Sequence, residues 1–187
     1  KENQMKKLFL ILLLVPFHFL ISSGNAQTLF STSTGEISFY SYTPIEDINA
    51  VNKKIGSIIN SDTREVAVQM RMTDFSFPNK LMQEHFNENY LESEKYPTAT
   101  FRGKLTGNED FTIPGNHAVK ATGTMKIHGV EKPMDLAGQI NSDGKVLKLK
   151  LEFLIKLADY KIEIPTLVFA KIAEEIQIKG VLDLVKK

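Results

Sequence analysis

The sequence contains no cysteine. Disulfides, thiolate metal sites and cysteine nucleophiles are therefore excluded, and an exported form of the chain must be held by its own core. An excess of one charge sign is also lacking. The net charge is +1, and removing residues 1–26, with Lys1, Lys6, Lys7 and Glu2, leaves 20 basic and 21 acidic residues. A near-neutral domain offers no electrostatic footprint for nucleic acid or for an anionic membrane surface. There is no linker, low-complexity stretch or internal repeat, and 187 residues suit a single domain long enough to bury a core. Hydrophobic residues at 42% and charged residues at 24% are ordinary globular usage.

Catalytic signatures are missing too. No Gly-x-Ser-x-Gly elbow and no phosphate-binding glycine loop occurs. Beyond residue 26 the histidines are His85, His117 and His128, and none has a partner at a zinc-ligand spacing. Glu84-His85 lacks the second histidine of a metalloprotease helix. His128, beside Gly129, reads as a turn residue that makes a hydrogen bond rather than as a metal ligand. Glu92, Glu94, Glu109 and Asp110 fall in polar, loop-like stretches and read as a solvated face. No catalytic residue, metal site or cofactor is expected; binding is favoured over catalysis.

One long apolar run is present, and it comes first. Lys6 and Lys7 precede an unbroken apolar stretch from Leu8 to Val15, extended by Phe17, Phe19, Leu20 and Ile21. Small and polar residues follow, with Gly24 and Ala26 at the spacing of a cleavage site. This order is that of a secretory signal peptide over residues 1–26, with Met5 as its start and residues 1–4 upstream. The run over residues 8–21, broken by Pro16 and His18, is short for a membrane span, which takes about 20 residues. Cleavage is therefore expected, with no stable membrane insertion afterwards. The domain of interest covers residues 27–187.

That domain is dominated by a period of two, the mark of strands with one dry and one wet face. Val119, Ala121, Gly123, Met125 and Ile127 alternate with Lys120, Thr122, Thr124, Lys126 and His128. A turn at Gly129-Val130-Glu131-Lys132-Pro133 leads to Met134, Leu136, Gly138 and Ile140. Asn141-Ser142-Asp143-Gly144 is a second turn. Leu147 to Leu157 and Ile176 to Leu184 continue the alternation. Earlier strands carry Ile37 and Phe39; Val66, Val68, Met70 and Met72; and Ala99, Phe101, Gly103 and Leu105. A weaker strand is expected over residues 54–59.

Residues 79–91 break the period. Leu81, Met82, His85, Phe86, Tyr90 and Leu91 recur at three and four, which predicts an amphipathic helix with Asn79 as N-cap. A short helical turn is expected near residues 168–173. About eight strands with one helix suggest an all-β, antiparallel closed barrel or a sandwich. Gly103, Gly123, Gly138 and Gly180 lie on the dry face, where glycine marks either a bend or the close approach of a ligand.

Two stretches carry a family likeness. Glu94-Lys95-Tyr96-Pro97-Thr98-Ala99-Thr100-Phe101 and Gly123-Thr124-Met125-Lys126-Ile127-His128-Gly129-Val130-Glu131-Lys132-Pro133 resemble the YceI-like family of bacterial polyisoprenoid-binding proteins. The tail agrees, with Asp159-Tyr160, Ile164-Pro165 and Lys171-Ile172-Ala173-Glu174-Glu175-Ile176. The likeness covers residues 28–184, and residues 46–52 depart from its pattern. It implies a lipocalin-like barrel with the helix near its mouth, a long isoprenoid or similar amphiphile inside, and a periplasmic or secreted location.

The candidate lining is the dry face: Phe39, Val68, Met70, Phe101, Met125, Ile127, Met134, Leu136, Phe153 and Ile155. Its three methionines suit an irregular chain. Phe86, Tyr90, Leu91 and Tyr96 are candidates for the mouth, or else pins for the helix. A polyisoprenoid or other long-chain lipid, a quinone among them, is the expected partner, and a homodimer is compatible with the sequence. The competing reading is a barrel filled with side chains that acts through its outer surface in the envelope or under stress. An isoprene unit leaving water gains about 4 kcal/mol. Such a chain normally rests in a bilayer, where the apolar terms nearly cancel, so exchange rather than permanent capture is expected.

Overall fold

A computed structural model describes residues 27–44, 47–164 and 172–187. The apolar N-terminal segment, and most of the helical turn expected near residues 168–173, lie outside the described residues. The strands are β1 (Leu29–Ser41), β2 (Ile48–Asn60), β3 (Glu65–Arg71), β4 (Thr98–Thr106), β5 (Gly115–Ile127), β6 (Val130–Ser142), β7 (Val146–Lys156) and β8 (Glu175–Lys186). Each runs antiparallel to the next and β8 pairs with β1, so the fold is a closed up-and-down β-barrel rather than a sandwich. Closure removes the exposed sheet edges that open sheets must protect, except where residues 130–137 of β6 lack partners in β7.

β3, β4, β5, β7 and β8 follow the alternation directly. Their inward rows are Val66, Ala99, Phe101, Leu105, Val119, Ala121, Met125, Leu147, Leu149, Ile155, Ile176, Leu182 and Leu184, all buried. β2 is longer than the sequence suggested, because it reverses parity midway. Ala50 and Asn52 are buried, then Lys53 and Lys54 are both exposed, then Ile55, Ser57 and Ile59 are buried. The matching shift in β1 lies between Thr32 and Ile37, around Gly35. A side chain on Gly35 would press on Leu182 and Ile55. The fully buried Asn52 fastens the irregular stretch, donating from Nδ2 to the Arg71 carbonyl (2.9 Å) and accepting from the Lys54 N–H at Oδ1 (2.9 Å).

The β5–β6 turn is tighter than expected. Only His128 and Gly129 stand between the strands, both with positive φ (51° and 74°), the backbone a two-residue primed turn requires. Val130, Glu131, Lys132 and Pro133 therefore belong to β6. Gly103 and Gly123 face each other across β4 and β5. A Cβ on Gly123 would collide with the Arg102 carbonyl oxygen and the Gly103 Cα. These two glycines let the strands bend close, which is the curvature role.

Up-and-down order puts the 61–64, 107–114 and 143–145 connections at one end of the barrel and the 42–47, 72–97, 128–129 and 157–174 connections at the other. The first end is filled by buried side chains. Phe30, Phe111, Leu147 and Leu184 have no exposed surface. Phe111 comes from the 107–114 loop and plugs this end. The Ser142 hydroxyl donates to its carbonyl (2.6 Å), and the Arg64 guanidinium covers its ring at 5.1 Å. Arg64 is itself held by the Glu109 carboxylate (2.9 Å) and by the Glu109 carbonyl (2.6 Å).

A candidate binding cavity at the open end

At the opposite end the side chains do not meet, and a cavity of about 430 Å³ remains. Ile37 on β1, Met125 on β5 and Phe153 with Ile178 on β7 and β8 stand deeper in its wall. Nearer the mouth, Phe39 and Ile48 from β1 and β2, Met70 with Ala99 from β3 and β4, Ile127 from β5, and Ile155 with Ile176 from β7 and β8 complete the wall. The long connection between β3 and β4 covers part of the opening. It begins with a 3₁₀ turn (Met72–Asp74), crosses β2 through a two-way Val51–Ser76 backbone bridge, and enters α1 (Lys80–His85). Asn79 caps α1, accepting from the Leu81 N–H at 2.9 Å. The helix widens at Phe86–Tyr90 into a π turn, closed by the Leu91 N–H on the Phe86 carbonyl (2.9 Å).

That widening places Phe86 in the centre of an aromatic cluster. Its ring lies 5.6 Å from Phe39, 5.6 Å from Phe75 and 5.0 Å from Phe77. Such pairs add about 0.5–1.5 kcal/mol each beyond burial. Leu81, an apolar position of the helix, is 56% exposed at the rim and still touches the cavity. Among the described residues, polar groups on the wall are few: Ser41, Asn79, His85 and the Tyr90 phenol. The Ser41 hydroxyl accepts from the Ala173 N–H at 2.8 Å, and Asn79 is occupied as a cap. Burial pushes the Tyr90 phenol above its usual range.

Six of the ten residues expected to line a cavity stand on this wall: Phe39, Met70, Met125, Ile127, Phe153 and Ile155. Val68, Phe101, Met134 and Leu136 do not. Phe101 is buried with its ring tip against the space left by Gly103, on the side of the packed end. Val68 is partly buried against the core, and so are Met134 and Leu136 on β6. None of the four dry-face glycines reaches the cavity. At the mouth, Phe86, Tyr90 and Leu91 contribute, whereas Tyr96 does not.

Tyr96 instead joins a polar knot beside the mouth. His128 Nδ1 lies 3.1 Å from the Tyr160 carbonyl oxygen, and its Nε2 lies 2.9 Å from the Glu92 carboxylate. The Tyr96 ring meets the imidazole edge-on at 4.5 Å, under the Lys95 ammonium. A side chain on Gly129 would strike Tyr96. His128 thus ties three segments together instead of serving only its own turn. Glu92, Glu109 and Asp110, read from sequence as solvated, all have partners; Asp110 accepts from the Thr112 backbone and hydroxyl. These bonds hold the Asp110 carboxyl below its usual range. Among the described residues, no three His, Cys, Asp or Glu side chains converge as a metal site would need.

Several wall residues escaped the sequence reading. Phe75 and Phe77 flank Ser76 at a spacing of two, a strand signal too short to register. Leu157, counted as the end of β7, opens a 3₁₀ turn (Leu157–Tyr160) and faces the cavity.

Comparison with known proteins agrees with this architecture. A polyisoprenoid binding domain from Saccharophagus degradans superposes with a TM-score of 0.74 at 16% identity, over 87% of this chain and 100% of that one. BcnA of Burkholderia cenocepacia gives 0.67 at 16% identity, over 81% and 95%. The YCEI protein of Campylobacter jejuni gives 0.57 at 22% identity, over 73% and 83%. A comparison with curated sequences finds no match. The YceI-like domain matches residues 16–184, nearly the whole sequence, and the chain belongs to that family.

Proposed function

We propose that the open end of the barrel holds the hydrocarbon part of an isoprenoid or other long-chain amphiphile, a quinone among the candidates, and that the protein carries it in the periplasm or outside the cell. One observation carries this reading: the barrel is filled by fully buried side chains at one end and keeps an apolar cavity of about 430 Å³ at the other. Pockets that enclose small organic ligands span about 300–1,000 Å³. Among the described residues, few polar groups stand on the wall, so the site selects for apolar shape and leaves a head group at the mouth. Family membership and the likeness to a polyisoprenoid binding domain support the same ligand class. The apolar N-terminal run of the sequence supports export.

The test is to express residues 27–187 with an export signal, extract the purified protein with organic solvent, and analyse the extract by mass spectrometry. A stoichiometric long-chain isoprenoid or quinone is expected. An empty extract, from protein that also fails to take up added polyprenyl lipid, would leave a barrel that acts through its surface.

A further inference from the structure

The barrel is closed, but unevenly. β6 has 13 residues and β7 has 11, yet they share only five paired positions, from Gly138 opposite Leu151 to Ser142 opposite Leu147. All five lie toward the packed end. β5 and β6, by contrast, pair along their whole length, from Gly115 opposite Ser142 to Ile127 opposite Val130. Toward the open end, residues 130–137 of β6 and 152–156 of β7 have no partner in each other, and β7 continues to pair with β8 on its far side.

The two-residue turn fixes which way the free edge points. Ile127 and Val130 form the closing hydrogen-bonded pair, so the backbone groups of Glu131, Pro133, Asp135 and Ala137 point away from β5, toward β7. Pro133, which has no N–H to offer, sits on this free edge, where proline is tolerated. The inner side of the split is apolar. Met134 and Leu136 on β6, with Leu151 and Phe153 on β7, face inward but are only partly buried. Phe153 also stands on the cavity wall, so cavity and split are continuous. Lys132 marks the upper limit. It shares the inward row with Met125, yet its ammonium reaches Asp159 of the 157–160 turn at 3.2 Å.

We propose that this split between β6 and β7 is a lateral portal, through which the distal part of a long hydrocarbon chain leaves the cavity. The proposal rests on the lipid reading of the cavity. A cavity of about 430 Å³ is near the lower end of the range for ligand pockets and does not enclose a long polyprenyl chain. Phe111, Phe30, Leu147 and Leu184 block the far end. The head group takes the mouth, and the excess length runs sideways along Met134 and Leu136. The 157–160 turn forms the lintel, fastened by Lys132–Asp159 and by the Tyr160 carbonyl on His128.

The probes are farnesol as the short chain and solanesol as the long one. In the unaltered protein, solanesol slows hydrogen exchange at the Glu131, Asp135 and Ala137 amides by about tenfold, and farnesol leaves them unchanged. Leu136→Trp, which narrows the split without touching the cavity wall, weakens solanesol about tenfold and leaves farnesol affinity as it was. Solanesol binding with unchanged exchange at these amides overturns the portal, whether or not the variant folds. So does binding of farnesol alone, or an equal effect of Leu136→Trp on both chains. If neither alcohol binds, the lipid reading itself fails and takes the portal with it.

Discussion

The two ends of this barrel are made from the same strands, yet they differ in kind. At one end the inward rows end in large side chains and Phe111 enters from a loop to fill the remaining space. At the other the rows end in residues that stand apart, and the covering aromatic cluster comes from a separate segment between β3 and β4. The hairpin connections at the packed end are short and pinned; Asp143, for instance, accepts from the Lys145 and Val146 N–H groups at 2.8 and 2.7 Å. The lesson is a division of labour. Stability resides at the end that buried side chains fill, and the space for a ligand resides at the end reached by the 72–97 and 157–174 connections.

If that division holds, mutations at the two ends must separate stability from binding. The largest stability effect is expected at the plug. Phe111→Ala removes a fully buried ring and should cost about 3–5 kcal/mol. In thermal unfolding that lowers Tm by about 10 °C in a domain of this size, while the folded fraction keeps its lipid affinity. Next comes obstruction of the cavity. Met70→Trp should weaken lipid binding about a hundredfold, roughly 2.7 kcal/mol, with only a small change in urea midpoint. Fluorescence titration with a polyene fatty acid reads the first quantity and denaturation reads the second.

Phe86→Ala should fall between these poles. It disrupts ring contacts with Phe39, Phe75 and Phe77 beside an existing void, so about 2 kcal/mol is expected. Its release of bound lipid in stopped-flow exchange should be faster than that of the unaltered protein. The smallest effect concerns acid. Hydrogen bonds from the Val146 and Lys145 N–H groups hold the Asp143 carboxyl below its usual range. The folded value lies below the unfolded one, so the stabilisation is present above the unfolded value of about 3.9 and is lost as pH falls through the folded value. Urea unfolding of Asp143→Asn should therefore differ from that of the unaltered chain at neutral pH and converge with it at the acid end.

The sequence made one part of this plan readable and hid another. Alternation reports which face a residue takes, so β3 to β8 and six of the wall residues could be placed. It fails where a strand reverses parity, as at Lys53 and Lys54, where two exposed lysines interrupt an otherwise inward row. It also fails where a segment is too short, as at Phe75 and Phe77. Most of all, it says nothing about which neighbour a strand pairs with. Met134 to Ile140 alternates as regularly as any stretch of the chain, and the lack of partners in β7 for residues 130–137 appears only in the pairing. The depth of Phe101 was hidden for a related reason, since the ring's lean over Gly103 depends on the bend that Gly103 and Gly123 permit together.

The central claim is that hydrocarbon occupies one end of the barrel and not the other. Paramagnetic broadening by a nitroxide-labelled acyl chain, read on the methyl and aromatic signals of the bound protein, tests it directly. The account predicts loss of signal from Phe39, Met70, Met125 and Ile155, with Phe30, Phe111, Leu147 and Leu184 unaffected. Broadening confined to residues on the outer surface, or spread evenly over both ends, would contradict it.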